Sequence, residues 1–183
     1  PESVAHTAQQ VLALNPNRIS LFSYAHVPGM KPYQKKLEAA GLPDDFSRLQ
    51  QEQAARDVWE GAGYLPIGID HFAKPTDPLA IALHEGRLSR NFQGYTDDAA
   101  SLLLGLGASA ISDAGSVYVQ NEPDLEAYQQ SLVSAGRLPI RRQCIRSAAD
   151  HIRAAIISDL MCGFTVNLAA YAGDFTAEKA RLA

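Results

Sequence analysis

The chain has 183 residues, 46% of them hydrophobic and 20% charged, with a formal net charge of −4. This is ordinary globular composition and excludes disordered and fibrous classes; the length fits one domain, or one domain plus part of another. No apolar run reaches the roughly 18 residues of a membrane span, and no signal segment with a basic start and an apolar middle is present.

Pro1-Glu2-Ser3 followed by Val4, Val11, Leu12 and Leu14 predicts a helix with proline in its first turn. Asn15-Pro16-Asn17 stops it, because proline disfavours helix at the preceding residue. Ile19-Ser20-Leu21-Phe22-Ser23-Tyr24 alternates and predicts a strand, followed by the loop Ala25-His26-Val27-Pro28-Gly29. Residues 44–61 read as a helix striped by Phe46, Leu49, Ala54, Val58 and Trp59, and ended by Gly61 and Gly63. Tyr64-Leu65-Pro66-Ile67-Gly68-Ile69 is a second predicted strand, with Asp70-His71-Phe72-Ala73 as its following loop. Residues 78–85 form a short helix closed by Gly86. Alternating helices and apolar strands predict a parallel sheet or a (β/α) barrel. In such folds functional groups gather at the carboxyl ends of strands. Here those ends are Tyr24-Ala25-His26 and Ile69-Asp70-His71, each with a histidine.

The pattern then changes. Residues 102–112 are small and apolar, and 116–121 read as a strand. Residues 123–135 predict a helix with Leu125, Tyr128 and Leu132 on one face, closed by Gly136. Residues 138–141 are extended, and 148–162 form a long helix on Ile152, Ala155, Ile156, Asp159 and Leu160. The tail from Gly163 is loop and an incomplete helix. The first methionine is Met30, so the chain is expected to begin inside a longer protein or to have been processed.

Several constellations carry chemistry. Arg90-Asn91-Phe92-Gln93-Gly94-Tyr95-Thr96 joins amides, a hydroxyl and a cation next to the apolar run Leu103-Leu104-Gly105-Leu106-Gly107-Ala108-Ser109-Ala110-Ile111-Ser112. Ligand pockets combine an apolar lining with a few placed polar groups in this way. Gln93 offers a donor and an acceptor to a ligand, or else braces its own loop. Asp70-His71 either titrates and binds a polar ligand, or caps a turn and bonds backbone; His26 has the same standing. Gly105-Leu106-Gly107 lacks the third glycine of a dinucleotide site and the Gly-Lys-Ser/Thr of a P-loop. Its glycines are read as places of close backbone approach. His84 and Glu85 are read as a solvated face, and His6 and His151 as helix surface. Ser20, Ser23 and Ser112 lack the partners of a nucleophile. Arg137, Arg141, Arg142 and Arg146 cluster enough to touch an anion, yet form no nucleic-acid footprint. Cys144 and Cys162 are read as buried thiols of a reducing compartment, with a disulfide between them as the alternative and no metal site of their own.

Four blocks occur in order: Ile19-Ser20-Leu21-Phe22-Ser23-Tyr24-Ala25-His26; Gly63-Tyr64 through Ile67-Gly68-Ile69-Asp70-His71-Phe72-Ala73; Arg90 through Thr96; and Leu104 through Ser112. Together they resemble the oxygen-independent coproporphyrinogen III oxidases (coproporphyrinogen dehydrogenases) of the radical S-adenosylmethionine superfamily, C-terminal part only. The likeness runs from Pro1 to about Leu168. It implies an α/β fold: the final strands and helices of a partial (β/α) barrel in residues 1–112, then a mostly helical C-terminal region in residues 113–183. It implies a [4Fe–4S] cluster on a Cys-x-x-x-Cys-x-x-Cys loop, two S-adenosylmethionine molecules, and a 5′-deoxyadenosyl radical. That radical would abstract hydrogen from two propionates of coproporphyrinogen III, which decarboxylate to the vinyl groups of protoporphyrinogen IX in haem biosynthesis. Ala25, Gln93 and Ile111 match the family's S-adenosylmethionine contacts. The resemblance further implies an electron donor for the cluster, a monomeric cytoplasmic parent, and neither nucleic acid nor membrane span.

The cluster loop is not in this sequence, since Cys144 and Cys162 lack its spacing. The cluster is therefore expected upstream, and this chain alone is expected to be inactive. The alternative is a haem-binding chaperone relative of the same superfamily. That relative shows a His-Asn…Tyr-Trp pattern where this chain has Arg90-Asn91-Phe92-Gln93, so the Gln-Gly-Tyr-Thr block favours the dehydrogenase.

Overall fold

Residues 1–98 and 100–181 are described by a computed structural model, in which the chain divides into two units, Pro1–Leu88 and Ser89–Ala183. Both mix helix and strand. Among the described residues no helix is long and apolar enough to cross a membrane.

The first unit begins with α1 (Glu2–Ala13) and β1 (Arg18–Ser20). A 3-10 turn, Pro32–Gln34, leads into α2 (Lys35–Glu38). Next comes α3 (Asp45–Gly61), started by the Asp44 carboxylate, which accepts from the Ser47 amide at 2.8 Å. β2 (Leu65–Ile67), β3 (His71–Ala73) and α4 (Pro78–His84) complete it. At α4 the Asp77 carboxylate both caps Leu79 and pairs with Arg18 at 2.8 Å, so one buried acid fastens the helix to β1. Trp59 and Phe72 meet edge to face at 5.1 Å in a core shared with Ala8, Ile19, Ala55 and Tyr64. The Trp59 indole donates to the Ala8 carbonyl at 3.2 Å, which joins α3 to α1.

The strand order is β1-β3-β2, and both pairings are antiparallel, with Phe72 opposite Ile19 and Pro66. This corrects the expected parallel sheet. A parallel crossover takes a dozen or more residues, whereas β2 and β3 are joined only by Gly68, Ile69 and Asp70. Gly68 has φ of +61°, a conformation glycine adopts without steric cost, so the apolar run folds back as a hairpin. His71 therefore opens a strand instead of following one.

The second unit starts with a hairpin of β4 (Ser89–Asn91) and β5 (Gly94–Thr96). β6 (Ile111–Asp113) and β7 (Val117–Asn121) follow. α5 (Leu125–Gln129) continues as a π-helical turn, Gln130–Ser134. β8 (Ile140–Ile145) completes an antiparallel sheet of order β6-β7-β8. α6 (Ala148–Gly163) opens with a reciprocal cap between Ser147 and Asp150, and α7 (Thr176–Ala180) follows. Residues 113–183 thus carry two sheet strands besides their helices.

Candidate functional site

Polar groups gather in two places, one in each unit. In the first, β1 ends at Ser20, and the Leu21 amide still donates to the Asp70 carbonyl at 2.7 Å. The chain beyond is steered by Gln34, only 7% exposed, whose side chain accepts from the Val27 amide at 2.7 Å and donates to the Ala25 carbonyl at 3.1 Å. One buried amide thereby fixes the backbone on both sides of His26, while Ala25 itself stays exposed. Sequence reasoning missed Gln34. A lone amide in a polar stretch gives no signal until its partners, seven and nine residues back, are known.

His26 lies 3.1 Å from Glu38 through Nε2 and 3.5 Å from the Tyr24 hydroxyl through Nδ1. A neutral ring would donate from Nε2 to the carboxylate and accept at Nδ1, so both partners favour one tautomer. His26 also lines a cavity of about 350 Å³ with Leu21, Phe22, Tyr24, Arg48 and Glu52. Asp70 and His71 do not line it. They form a closed pair, Oδ1 to Nδ1 at 2.6 Å, with Phe22 against the imidazole edge. The two histidines that looked equivalent in sequence have separate settings.

In the second unit the β4–β5 turn is Phe92-Gln93. The Asn91 side chain accepts from the Gln93 amide at 2.7 Å, and Gly94 takes φ of +127°. The bracing side chain is therefore Asn91 and not Gln93, which corrects the reading of Gln93 as the brace of its own loop. The Gln93 side-chain amide is exposed with no hydrogen-bond partner among the described residues. Tyr95 anchors the hairpin: its ring is buried, and its hydroxyl donates to the Met161 carbonyl of α6 at 2.8 Å. Phe92 stands edge-on to Tyr118 of β7 at 5.0 Å. β7 pairs with β6, which begins at the half-buried Ile111. Gln93 and Ile111 are thus linked through Phe92, Tyr118 and the β6–β7 pairing, and neither lines the cavity beside them. Ser89, Asn91, Phe92, Asp113, Tyr118 and Ser158 line this cavity of about 420 Å³.

The glycine loop is a brace. A Cβ on Gly105 would lie 2.6 Å from the Ile111 carbonyl oxygen, so only glycine allows that approach. The Asn121 amide donates to the Gly105 and Gly107 carbonyls at 3.1 and 2.9 Å. The Gly105 amide donates to Ser112 and the Gly107 amide to the Tyr128 hydroxyl. These groups are satisfied internally; the close approach holds at Gly105 and not at Gly107, which has open space beside it and instead takes φ of +101°.

The four arginines do not act as one patch. Arg146, with 11% of its side chain exposed, is locked by Asp113 and the Tyr118 hydroxyl, each at 2.8 Å, and lies over the Tyr118 ring. Arg137, Arg141 and Arg142 are exposed. The thiol expectation is corrected as well: both cysteines are free, but Cys144 is exposed on β8 and Cys162 half-buried on α6. Burial pushes the Cys162 thiol above its ordinary pKa. Among the described residues no three His, Cys, Asp or Glu side chains group closely enough to hold a metal ion. The residues present do not fit an iron–sulfur cluster, which needs more thiolates than two cysteines on separate elements supply.

No protein-family model matches the chain. It is 44% identical over 164 residues to the oxygen-independent coproporphyrinogen III oxidase of Pseudomonas aeruginosa, covering 90% of this chain and 35% of that protein. It is 45% identical over 166 residues to the enzyme of the same name from Paracoccus denitrificans, covering 91% and 37%. A solved coproporphyrinogen III oxidase of Escherichia coli, described as a radical SAM enzyme, superposes with a TM-score of 0.86 at 39% identity, over 98% of this chain and 42% of that one. The chain spans little more than a third of the length of the curated relatives it matches. In sequence and backbone the chain is thus similar to one segment of oxygen-independent coproporphyrinogen III oxidases.

Proposed function

We propose that this chain is the C-terminal part of a radical S-adenosylmethionine coproporphyrinogen dehydrogenase, an oxidoreductase that decarboxylates two propionates of coproporphyrinogen III to vinyl groups in haem biosynthesis. The likeness to the Escherichia coli enzyme over 98% of the chain carries the reading. Residues 1–112 then supply the last elements of a partial (β/α) barrel, and residues 113–183 the region that follows it. The [4Fe–4S] cluster is held by residues outside this chain, and the chain alone does not turn over. The whole enzyme is a cytoplasmic monomer that takes electrons from a separate donor.

S-adenosylmethionine, two molecules per enzyme, supplies the radical that starts the reaction. Ala25, Gln93 and Ile111 are its contacts from this chain. Gln93 suits the role because Asn91 fixes its backbone while its own amide stays free to donate and accept. Ala25 suits it because Gln34 holds its carbonyl and a methyl side chain leaves room for a close ligand. Ile111 offers an apolar surface at the start of β6.

Exchanging the matching segment of the Escherichia coli enzyme for this chain tests the reading. The hybrid is expected to convert coproporphyrinogen III anaerobically, and Gln93→Ala within it to weaken S-adenosylmethionine binding by about 1–2 kcal/mol, the loss of one buried hydrogen bond. A folded, cluster-loaded hybrid without turnover would sink the reading. Stoichiometric haem binding by that inactive hybrid would point to the haem chaperone instead.

A further inference from the structure

Between β1 and α3 of the first unit the chain makes an ordered excursion of unusual surface character. Residues 27–37 contain Lys31, Lys35 and Lys36 and no acid, in a chain of net charge −4. Elsewhere in this unit the cations are tied: Arg18 to Asp77, Arg48 to Asp45, Arg56 to Glu52 and Glu60, and Arg87 to Glu85. The three lysines are exposed, and none has an ion-pair or hydrogen-bond partner for its ammonium among the described residues. Next to Lys31 stands Met30, 79% exposed, and between Lys31 and Lys35 stands Tyr33, 66% exposed.

The segment is held rigidly. The Val27 carbonyl accepts from the Met30 and Lys31 amides, and the Lys31 carbonyl from the Gln34 amide, each at 2.9 Å. The buried Gln34 side chain ties the turn to the backbone at residues 25 and 27. A knob ordered from below, with apolar side chains at its tip and uncompensated cations around them, has the composition of a protein-binding patch: an apolar centre with a polar rim. Small molecules take concave sites, and the cavity of about 350 Å³ in this unit is lined by residues on either side of the segment but by none of 27–41. Three lysines on a net acidic chain also fall short of a nucleic-acid footprint.

We propose that residues 27–37 form a docking knob for an acidic protein surface. Met30 and Tyr33 make the apolar contact, and Lys31, Lys35 and Lys36 meet the partner's carboxylates. The charges would steer encounter and set orientation more than affinity. This does not depend on the enzymatic reading above.

The test uses the full chain and a fluorescent peptide of glutamates around a central Trp-Leu pair, followed by anisotropy. Binding is expected to weaken as salt rises. K31E/K35E/K36E should lower affinity about tenfold, the summed effect of three exposed ion pairs. M30A/Y33A, which changes no charge, should also lower it, whereas R137E/R142E in the second unit should not. Circular dichroism confirms that each variant is folded. Equal loss from the arginine variant, full binding by M30A/Y33A, or no binding by the parent chain overturns the proposal. So does tighter binding to anionic phosphatidylglycerol vesicles than to the peptide, lost in the lysine variant, since the knob would then be a lipid site.

Discussion

The two units are ordered by different means. Among the described residues every strongly buried apolar side chain except Tyr95 and Pro139 lies in the first unit, around Trp59, Phe72, Ile67 and Leu79. In the second, α6 has sixteen residues and not one is buried, while Leu104, Leu106, Val133 and Ile145 are each at least 75% exposed. Its frame is polar instead: Asn121 on two carbonyls, Arg146 on Asp113 and Tyr118, and Tyr95 on the α6 backbone. Apolar burial is roughly additive in area and non-directional, so the first unit draws its stability from many contacts. Hydrogen bonds contribute little net each but cost more when one partner is removed from a buried group. The second unit therefore hangs on a few named side chains.

The sharpest way to break this contrast is at Phe72, 1% exposed and against Trp59. Phe72→Ala is expected to cost about 3–5 kcal/mol in urea unfolding followed by fluorescence of Trp59, the sole tryptophan. Ile157→Ala, at a residue 57% exposed on α6, should stay within about 0.5 kcal/mol. Equal costs would mean that exposure in the second unit does not measure its packing. A smaller effect belongs to the polar frame. Asn121→Ala leaves the Gly105 and Gly107 carbonyls without their donor and should cost about 1–3 kcal/mol. Gly105→Ala, which drives a Cβ into the Ile111 backbone, should cost a similar amount. Hydrogen exchange across residues 103–113 reads both, and protection equal to that of the parent chain would show that the loop does not depend on them.

What was legible in the sequence follows the same division. In the first unit α1, α3 and α4 are legible nearly to their ends, because proline, Asp44 and the glycines at 63 and 86 are local signals, whereas the short α2 gives no such signal. The hairpin at residues 65–73 was misread as a strand and its loop, because an apolar run does not show which glycine turns it. In the second unit the close approach at Gly105 is legible, since glycine chemistry is local, whereas the β4–β5 hairpin around Phe92-Gln93 is not signalled by its short polar strands. The lock on Arg146 is not legible either. Its partners lie 28 and 33 residues away, and four arginines close in sequence look alike until three prove exposed. The assignment of Ala25, Gln93 and Ile111 rests on resemblance, and their local settings add support without having been legible in the sequence.

The smallest effect tests the contrast by pH. Asp44 at the start of α3 and Asp150 at the start of α6 both have pKa values below the ordinary aspartate value. The hydrogen bonds from the Ser47 hydroxyl and amide lower the first, and those from the Ser147 amide and hydroxyl lower the second. A carboxylate with a depressed folded pKa contributes stability that is complete above its unfolded value and is lost as pH falls through the folded one. Both caps should therefore hold at neutral pH and fail only in acid. Their failure should not look alike. α3 buries Ala55 and Trp59 against the core, so the body of the helix stays placed when the cap is protonated. α6 has no fully buried residue and its first turn relies on the reciprocal Ser147–Asp150 bonds, so that turn should open. Amide exchange in α6 is expected to speed up relative to α3 as pH drops below the aspartate range, and Ser147→Ala should remove most of that dependence by opening the turn at every pH. Unchanged acid sensitivity in Ser147→Ala would place the titrating contact elsewhere on α6, and parallel fraying of the two helices would erase the distinction between a packed unit and a capped one.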